Sequence, residues 1–90
     1  MQKNILTIKN WIVSNYGYEV IINNNDLTES LVVDIEDERN IARFTAWDDR
    51  SCMLEIINVD TEQYIINERR ELASDDEILE AFKEFNNLLL

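Results

Sequence analysis

Carboxylates are the side chains of this sequence that could do chemistry, and several of them are grouped in two short runs. The first run is Glu36-Asp37-Glu38, and the second is Asp48-Asp49, which directly follows Trp47. Grouped carboxylates can hold a divalent cation, act as a general acid and base, or bind a positively charged partner. The remaining composition separates these three kinds of chemistry.

The charge balance favours binding to something positive. Nineteen acidic residues oppose eight basic ones in 90 residues, which gives a net charge of −11, and there is no histidine. Such an excess disfavours approach to nucleic acid phosphates or to an anionic membrane and favours a basic surface. We therefore expect no direct nucleic-acid partner and no membrane partner.

Metal sites and catalytic sites find little support in the residue types. With Cys52 as the single cysteine and no histidine, the sequence excludes the usual zinc sites and the His-based catalytic triads. The acidic stretch at 34–38 lacks the glycine and the spacing of a calcium loop. We predict no catalytic residue, no cofactor and no metal ligand, although an enzyme based on carboxylates or a metal stays an alternative.

The organisation of the chain is simple. Its 90 residues contain no proline and a single glycine, Gly17, so no Pro/Gly-rich linker divides them and we expect one domain over residues 1–90. A hydrophobic content of 46% is enough for a packed core. A lone cysteine, the lack of a signal sequence and the lack of a long apolar segment together predict a cytoplasmic protein.

Hydrophobic periodicity predicts the elements that must position the carboxylates. Apolar residues at helical spacing predict a first helix over 2–15, which ends at Gly17. Ser74 and Glu77 form a capping box at the start of a last helix that carries Phe82 and Phe85 on its apolar face. Between the helices, alternating residues predict five strands, near 18–22, 30–36, 41–47, 51–58 and 63–69.

Short loops join these strands, so we predict an α+β fold of order α-β-β-β-β-β-α, with a five-stranded antiparallel meander sheet. We expect the N- and C-terminal helices to pack on one face of the sheet. Loop lengths place both Asp34 and Glu55 opposite Arg43 on the other, open face. Trp47 also belongs to this open face, so that anionic groups surround apolar anchors there.

A family resemblance is carried by the segment Ala42-Arg43-Phe44-Thr45-Ala46-Trp47-Asp48-Asp49 and by Ser51-Cys52-Met53-Leu54-Glu55 after it. It extends through Leu72-Ala73-Ser74 to the face of Phe82 and Phe85. In these segments the chain resembles immunity proteins of bacterial contact-dependent growth inhibition and related polymorphic toxin systems, of the TriTu type. These motifs are structural, and the resemblance covers about two thirds of the chain.

The resemblance implies a small cytoplasmic antitoxin that binds one cognate toxin and is not an enzyme. Toxins of such systems are often nucleases, including tRNases, and some act together with elongation factor Tu, which would join through the toxin complex. No binding residue carries over individually, because immunity surfaces diverge with their toxins. An acidic protein fits this role, since a nuclease presents a basic groove to its substrate.

From the charge pattern we predict a toxin-binding set made of the two acidic runs and the neighbouring tryptophan: Glu36, Asp37, Glu38, Trp47, Asp48 and Asp49. Each of these carboxylates could instead belong to a solvated rim that discourages edge-to-edge aggregation of the sheet. The main alternative function is a small acidic secretion chaperone that binds an effector protein. Such chaperones usually have a helix interposed among their strands, whereas the strand region here is uninterrupted.

Overall fold

The chain folds in the order α-β-β-β-β-β-α over residues 3–24 and 27–89, which is the part that this computed structural model describes. This order confirms the predicted fold class. The elements are α1 (Lys3–Tyr16), β1 (Ile21–Asn24), β2 (Glu29–Glu36), β3 (Asn40–Trp47), β4 (Ser51–Asn58), β5 (Gln63–Glu71) and α2 (Asp75–Leu88).

The five strands form one antiparallel meander in the order β1-β2-β3-β4-β5. Arg43 lies opposite Asp34 on β2 and opposite Glu55 on β4, as the loop lengths predicted. A one-residue slip would turn the apolar residues to the wrong face, so the burial of one face fixes this register. Strand β5 carries an irregularity opposite Ile56 and Ile57, which leaves Ile57 paired with Tyr64.

Both helices cover the same face of the sheet, which confirms that prediction. Alternating residues of the central strands and one face of each helix form a continuous buried core. Its fully buried aromatic and aliphatic side chains include Ile5, Ile8, Ile12, Leu31, Val33, Phe44, Leu54, Ile56, Ile78, Phe82 and Phe85. Cys52 also belongs to this core, where burial raises the pKa of its thiol to about 11. Its thiol is therefore protonated and shielded at neutral pH.

Helix α2 begins at the predicted cap. The Ser74 hydroxyl accepts a hydrogen bond from the Glu77 N–H at 3.3 Å, and the Glu77 carboxylate accepts one from the Ala73 N–H at 2.7 Å. The second bond reaches one residue further back than in the usual capping box. Asp75 and Asp76 occupy the first turn, where the helix dipole favours negative charge.

The first strand is the element whose predicted bounds were wrong. It spans Ile21–Asn24 instead of 18–22, because Tyr18 is used by the helix layer: its hydroxyl donates to Asn86 Oδ1 at 2.6 Å, and its ring stacks on Tyr16. The first helix also runs one residue further than predicted, to Tyr16. Gln2 of the predicted helix and residues 25–26 of the predicted turn lie outside the described residues.

An ion-pair cluster that the sequence pattern did not indicate joins β5 to α2. The guanidinium of Arg70 donates to both carboxylate oxygens of Glu84 at 2.9 Å and to those of Glu68 at 3.0 and 3.3 Å. These bonds raise the pKa of Arg70 and lower that of Glu84. Because the forked geometry is bidentate, it fixes the position of α2 over the last strand.

Candidate functional site

The structure separates the predicted toxin-binding residues into two groups at opposite ends of β3. Glu36 ends β2, and Asp37 and Glu38 follow it in the β2–β3 turn, whereas Trp47 ends β3 and the β3–β4 turn follows with its two aspartates. The eight residues of β3, at about 3.3 Å each, place the two turns about 25 Å apart. We call the open face between them, on β2 to β5, the outer face.

In the β2–β3 turn, Asp37 builds the local conformation. Its Oδ1 accepts hydrogen bonds from the backbone N–H groups of Arg39 and Asn40, both at 2.8 Å. These two bonds lower the pKa of Asp37 below its ordinary value of 3.8. The carboxylates of Glu36 and Glu38, on either side, are exposed and make no hydrogen bond or ion pair with a described residue, so their charge faces solvent at a turn that Asp37 holds in place.

The lowered pKa of Asp37 predicts a pH-dependent contribution to stability. A carboxyl group whose pKa falls on folding stabilises the fold above its unfolded pKa, and this contribution is lost as the pH falls through the unfolded and then the folded value. We expect the stability advantage of the wild type over Asp37→Asn to be greatest near pH 6–7 and to shrink below about pH 4.

Urea unfolding of both proteins across this pH range measures that difference. Glu38→Gln is the matched control, because it removes one charge from the same turn without removing a hydrogen-bonded group. An equal pH profile for the Asp37 and Glu38 variants would show that general charge repulsion, and not the turn, causes the effect.

In the β3–β4 turn, both aspartates are hydrogen-bonded. The Asp48 carboxylate accepts from the Glu29 N–H at 3.0 Å, which ties the turn to β2. Asp49 Oδ1 accepts from the backbone N–H of Ser51 at 3.0 Å and from its hydroxyl at 2.5 Å, which lowers the pKa of Asp49. Arg50 closes the turn with a φ of 67°, the left-handed conformation that ends a three-residue hairpin loop.

Trp47 is half-buried at this end of the outer face. The Arg69 guanidinium lies over its ring, 5.1 Å from the centroid, in cation–π geometry. The indole is thus held on one side, while the turn that follows it is fixed by its aspartates. This arrangement leaves a rigid aromatic group beside two carboxylates, which is the composition of a protein-binding anchor.

The aspartates of both turns accept hydrogen bonds from the protein, namely Asp37, Asp48 and Asp49. Their side chains therefore shape the turns in addition to carrying charge. Asp37 and Asp49 accept from N–H groups two or three residues ahead, which is the common turn-forming arrangement, whereas Asp48 accepts from Glu29 on β2.

The centre of the outer face holds the predicted Arg43 cluster, with Asp34 and Glu55 on the two neighbouring strands. Arg43 donates to Asp34 at 2.7 and 3.3 Å, and these bonds raise the pKa of the guanidinium. The charge of Glu55 raises that pKa as well, but its carboxylate makes no hydrogen bond or ion pair with a described residue. Arg43 is therefore hydrogen-bonded to only one of the two carboxylates.

A depression of about 280 Å³ at the β2–β3 turn is lined by Asp37, Glu38 and Arg39. Two others lie further along the sheet. The larger, about 640 Å³, runs between β5 and α2, and the carboxylate of Glu84 on its wall is already paired with Arg70. The smaller, about 220 Å³, lies on the outer face beside Arg43 and Glu55 and is walled by Tyr64. The sequence pattern missed Tyr64 because a strand irregularity, which alternation does not reveal, turns it to this face.

Within residues 3–24 and 27–89, neither helix has the length and the apolar character to cross a membrane. The same described residues contain no group of three or more histidine, cysteine, aspartate or glutamate side chains placed to hold a metal ion.

Residues 6–87 match the family model described as immunity protein TriTu, from the second turn of α1 to the end of α2. No curated protein matches the chain.

Proposed function

Because this chain belongs to the TriTu immunity protein family, we propose that the cognate toxin it neutralises is a basic nuclease and that it binds this toxin through its acidic surface. An immunity protein inhibits its toxin by binding and is not an enzyme. Family membership thus confirms the resemblance and decides against both the chaperone and the enzyme interpretations.

Charge complementarity carries the proposal that the toxin is basic. A nuclease must attract the phosphates of its substrate, so the entrance to its active site is positive. A protein of net charge −11 is attracted to the same entrance and repelled by the nucleic acid itself. Opposite fields of this kind raise association rates to as much as about 10⁸–10⁹ M⁻¹s⁻¹ at low salt.

The contact residues we propose are the six at the two ends of the outer face: Glu36, Asp37, Glu38, Trp47, Asp48 and Asp49. Their separation of about 25 Å fits one interface, because a standard interface buries about 800 Å² per partner, a patch about 30 Å across. Hydrogen bonds already fix both turns, so little conformational entropy is lost when the toxin binds.

The experiment that tests this proposal starts from a tagged pull-down in the native bacterium, followed by purification of the toxin domain identified by mass spectrometry. We expect an equimolar complex in which the nuclease activity of the toxin is lost. A toxin domain with an acidic surface, or one without nuclease activity, would contradict the proposed partner while leaving the family assignment intact.

Ionic strength gives a prediction for the same complex. Because the charges on both turns are exposed to solvent, we expect the association rate to fall at least tenfold between about 0.01 and 0.5 M salt, as the Debye length shortens from about 30 Å to a few ångströms. Stopped-flow or surface-based kinetics measures this rate. A rate that does not change with salt would exclude electrostatic steering.

We further propose that the protein acts in the cytoplasm as one binding domain and that elongation factor Tu joins the assembly only through the toxin. The acidic surface is assigned to the toxin alone, so purified elongation factor Tu should elute separately from this protein in size-exclusion chromatography. Co-elution of the two in the absence of toxin would contradict the order of assembly.

A further inference from the structure

The smaller depression on the outer face is lined by groups of two kinds. Its apolar wall consists of Ile41, Ile57 and the ring of Tyr64, and all three belong to the end of the sheet near the β2–β3 turn. Its charged floor consists of Glu55 and the Asp34–Arg43 pair. Tyr64 is 54% exposed, so one side of the depression opens to solvent.

Glu55 is a carboxylate of this depression that accepts no side-chain hydrogen bond. Its neighbour Arg43 attracts it electrostatically but directs its guanidinium to Asp34, with the shorter bond at 2.7 Å, so the Glu55 carboxylate makes no hydrogen bond or ion pair with a described residue. Asn67 lies opposite Glu55 on β5 and carries no charge. The Glu55 carboxylate is half-buried beside Ile57, and it is less well solvated than an exposed carboxylate on the rim, so it gains more from a second cation that reaches it.

The size of the depression restricts its occupant. About 220 Å³ is below the range of about 300–1,000 Å³ that is typical of small-molecule sites, so a cofactor or a drug-sized ligand does not fit. One long side chain does. A lysine or arginine would place its apolar stem against Ile41 and Ile57 and its charge near Glu55, with the ring of Tyr64 available for a cation–π contact.

We propose that this depression receives one lysine or arginine side chain of the toxin and that Glu55 is its counter-charge. The inference rests on the proposed function, since it takes a basic toxin as the partner. Charge complementarity supports it: Asp34 and Glu55 outweigh Arg43 within the depression, and Glu36 lies at the nearby end of the outer face. An anchor side chain seated in a pocket and surrounded by polar groups is a usual feature of an interface.

The test compares Glu55→Gln with Glu80→Gln in binding to the purified toxin domain. Both substitutions remove one negative charge, but Glu80 lies on α2, in the helix layer. We expect Glu55→Gln to weaken the affinity about tenfold and Glu80→Gln to change it less than twofold, with thermal unfolding of both close to that of the wild type. Calorimetry gives the affinities.

Three results would overturn the inference in distinguishable ways. If the wild type binds tightly and Glu55→Gln binds equally well, the anchor depression is wrong while the proposed function stands. If Glu55→Gln lowers the melting temperature and not the affinity, Glu55 acts within the sheet. If the wild type itself does not bind the basic toxin domain, the proposed function fails, and the anchor fails with it.

Discussion

Replacement of Phe82 by alanine is expected to lower the free energy of unfolding by about 3–5 kcal/mol, the usual cost of removing a buried phenylalanine. Phe82 has no exposed surface, and it lies at the centre of the aromatic cluster that joins both helices to the sheet. Its ring centroid lies 5.0 to 6.4 Å from those of Phe44, Tyr16, Phe85, Tyr18 and Trp11.

The expected loss is large relative to the total free energy of unfolding of the protein. A domain of this length has a total free energy of unfolding of about 5–13 kcal/mol. The substitution therefore removes about a quarter of it if the total is near ~13 kcal/mol and most of it if the total is near ~5 kcal/mol. Neither α1 nor α2 can move inward to fill the cavity without losing contacts elsewhere, because both are bound to the sheet through the same cluster.

Urea unfolding followed by tryptophan fluorescence measures this loss. Tyr64→Ala is the control, since it removes an aromatic ring from the outer face, where we expect a cost below about 1 kcal/mol. A loss below about 1.5 kcal/mol for Phe82→Ala would mean that the cluster repacks, and that the helix layer contributes less to stability than its burial indicates.

The sheet was predictable from the sequence because independent constraints agreed. The alternation of apolar residues in β2 and β3 and the length of the loop between them give the same register, with Asp34 opposite Arg43. The helix cap at Ser74 was equally clear, since a serine followed three residues later by a glutamate is typical of the start of a helix. By contrast, the pattern of residues 18–22 fits a strand and fits a connection that faces the core equally well. The hydrogen bond from Tyr18 to Asn86 on α2 shows that Tyr18 belongs to the connection.

The candidate site was less predictable, because its hydrogen bonds depend on side-chain orientations, which the periodicity of the sequence does not determine. The register places two carboxylates beside Arg43, but the direction of its guanidinium decides that Asp34 accepts hydrogen bonds from it and that Glu55 does not. Likewise, the sequence shows that Asp37 and Asp49 are acidic, whereas the turn conformations decide that both accept backbone hydrogen bonds. The face of Tyr64 follows from an irregularity in β5.

The two acidic turns can be tested separately with double variants that remove equal charge. Asp48→Asn/Asp49→Asn and Glu36→Gln/Glu38→Gln each change the net charge from −11 to −9. Asparagine keeps an acceptor oxygen for the N–H groups of Glu29 and Ser51, so the β3–β4 turn is preserved, whereas a basic replacement would remove that acceptor.

We expect each double variant to weaken toxin binding about 30-fold, since two charged contacts at about 1 kcal/mol each amount to about 2 kcal/mol. Calorimetric titration with the purified toxin domain gives the affinities, and the loss should diminish as salt is added. Glu19→Gln/Glu80→Gln is the control: it also leaves a net charge of −9, but neither residue lies on the outer face or in its turns.

The pattern of the results locates the interface, because the two turns are about 25 Å apart. Losses in both acidic variants require a toxin that covers the whole outer face, including the depression beside Glu55. A loss in one variant alone would confine the interface to that end of β3 and remove the other three residues from the proposed set. Losses equal to that of the control would mean that net charge, and not a defined surface, governs binding, and the six-residue assignment would then be wrong.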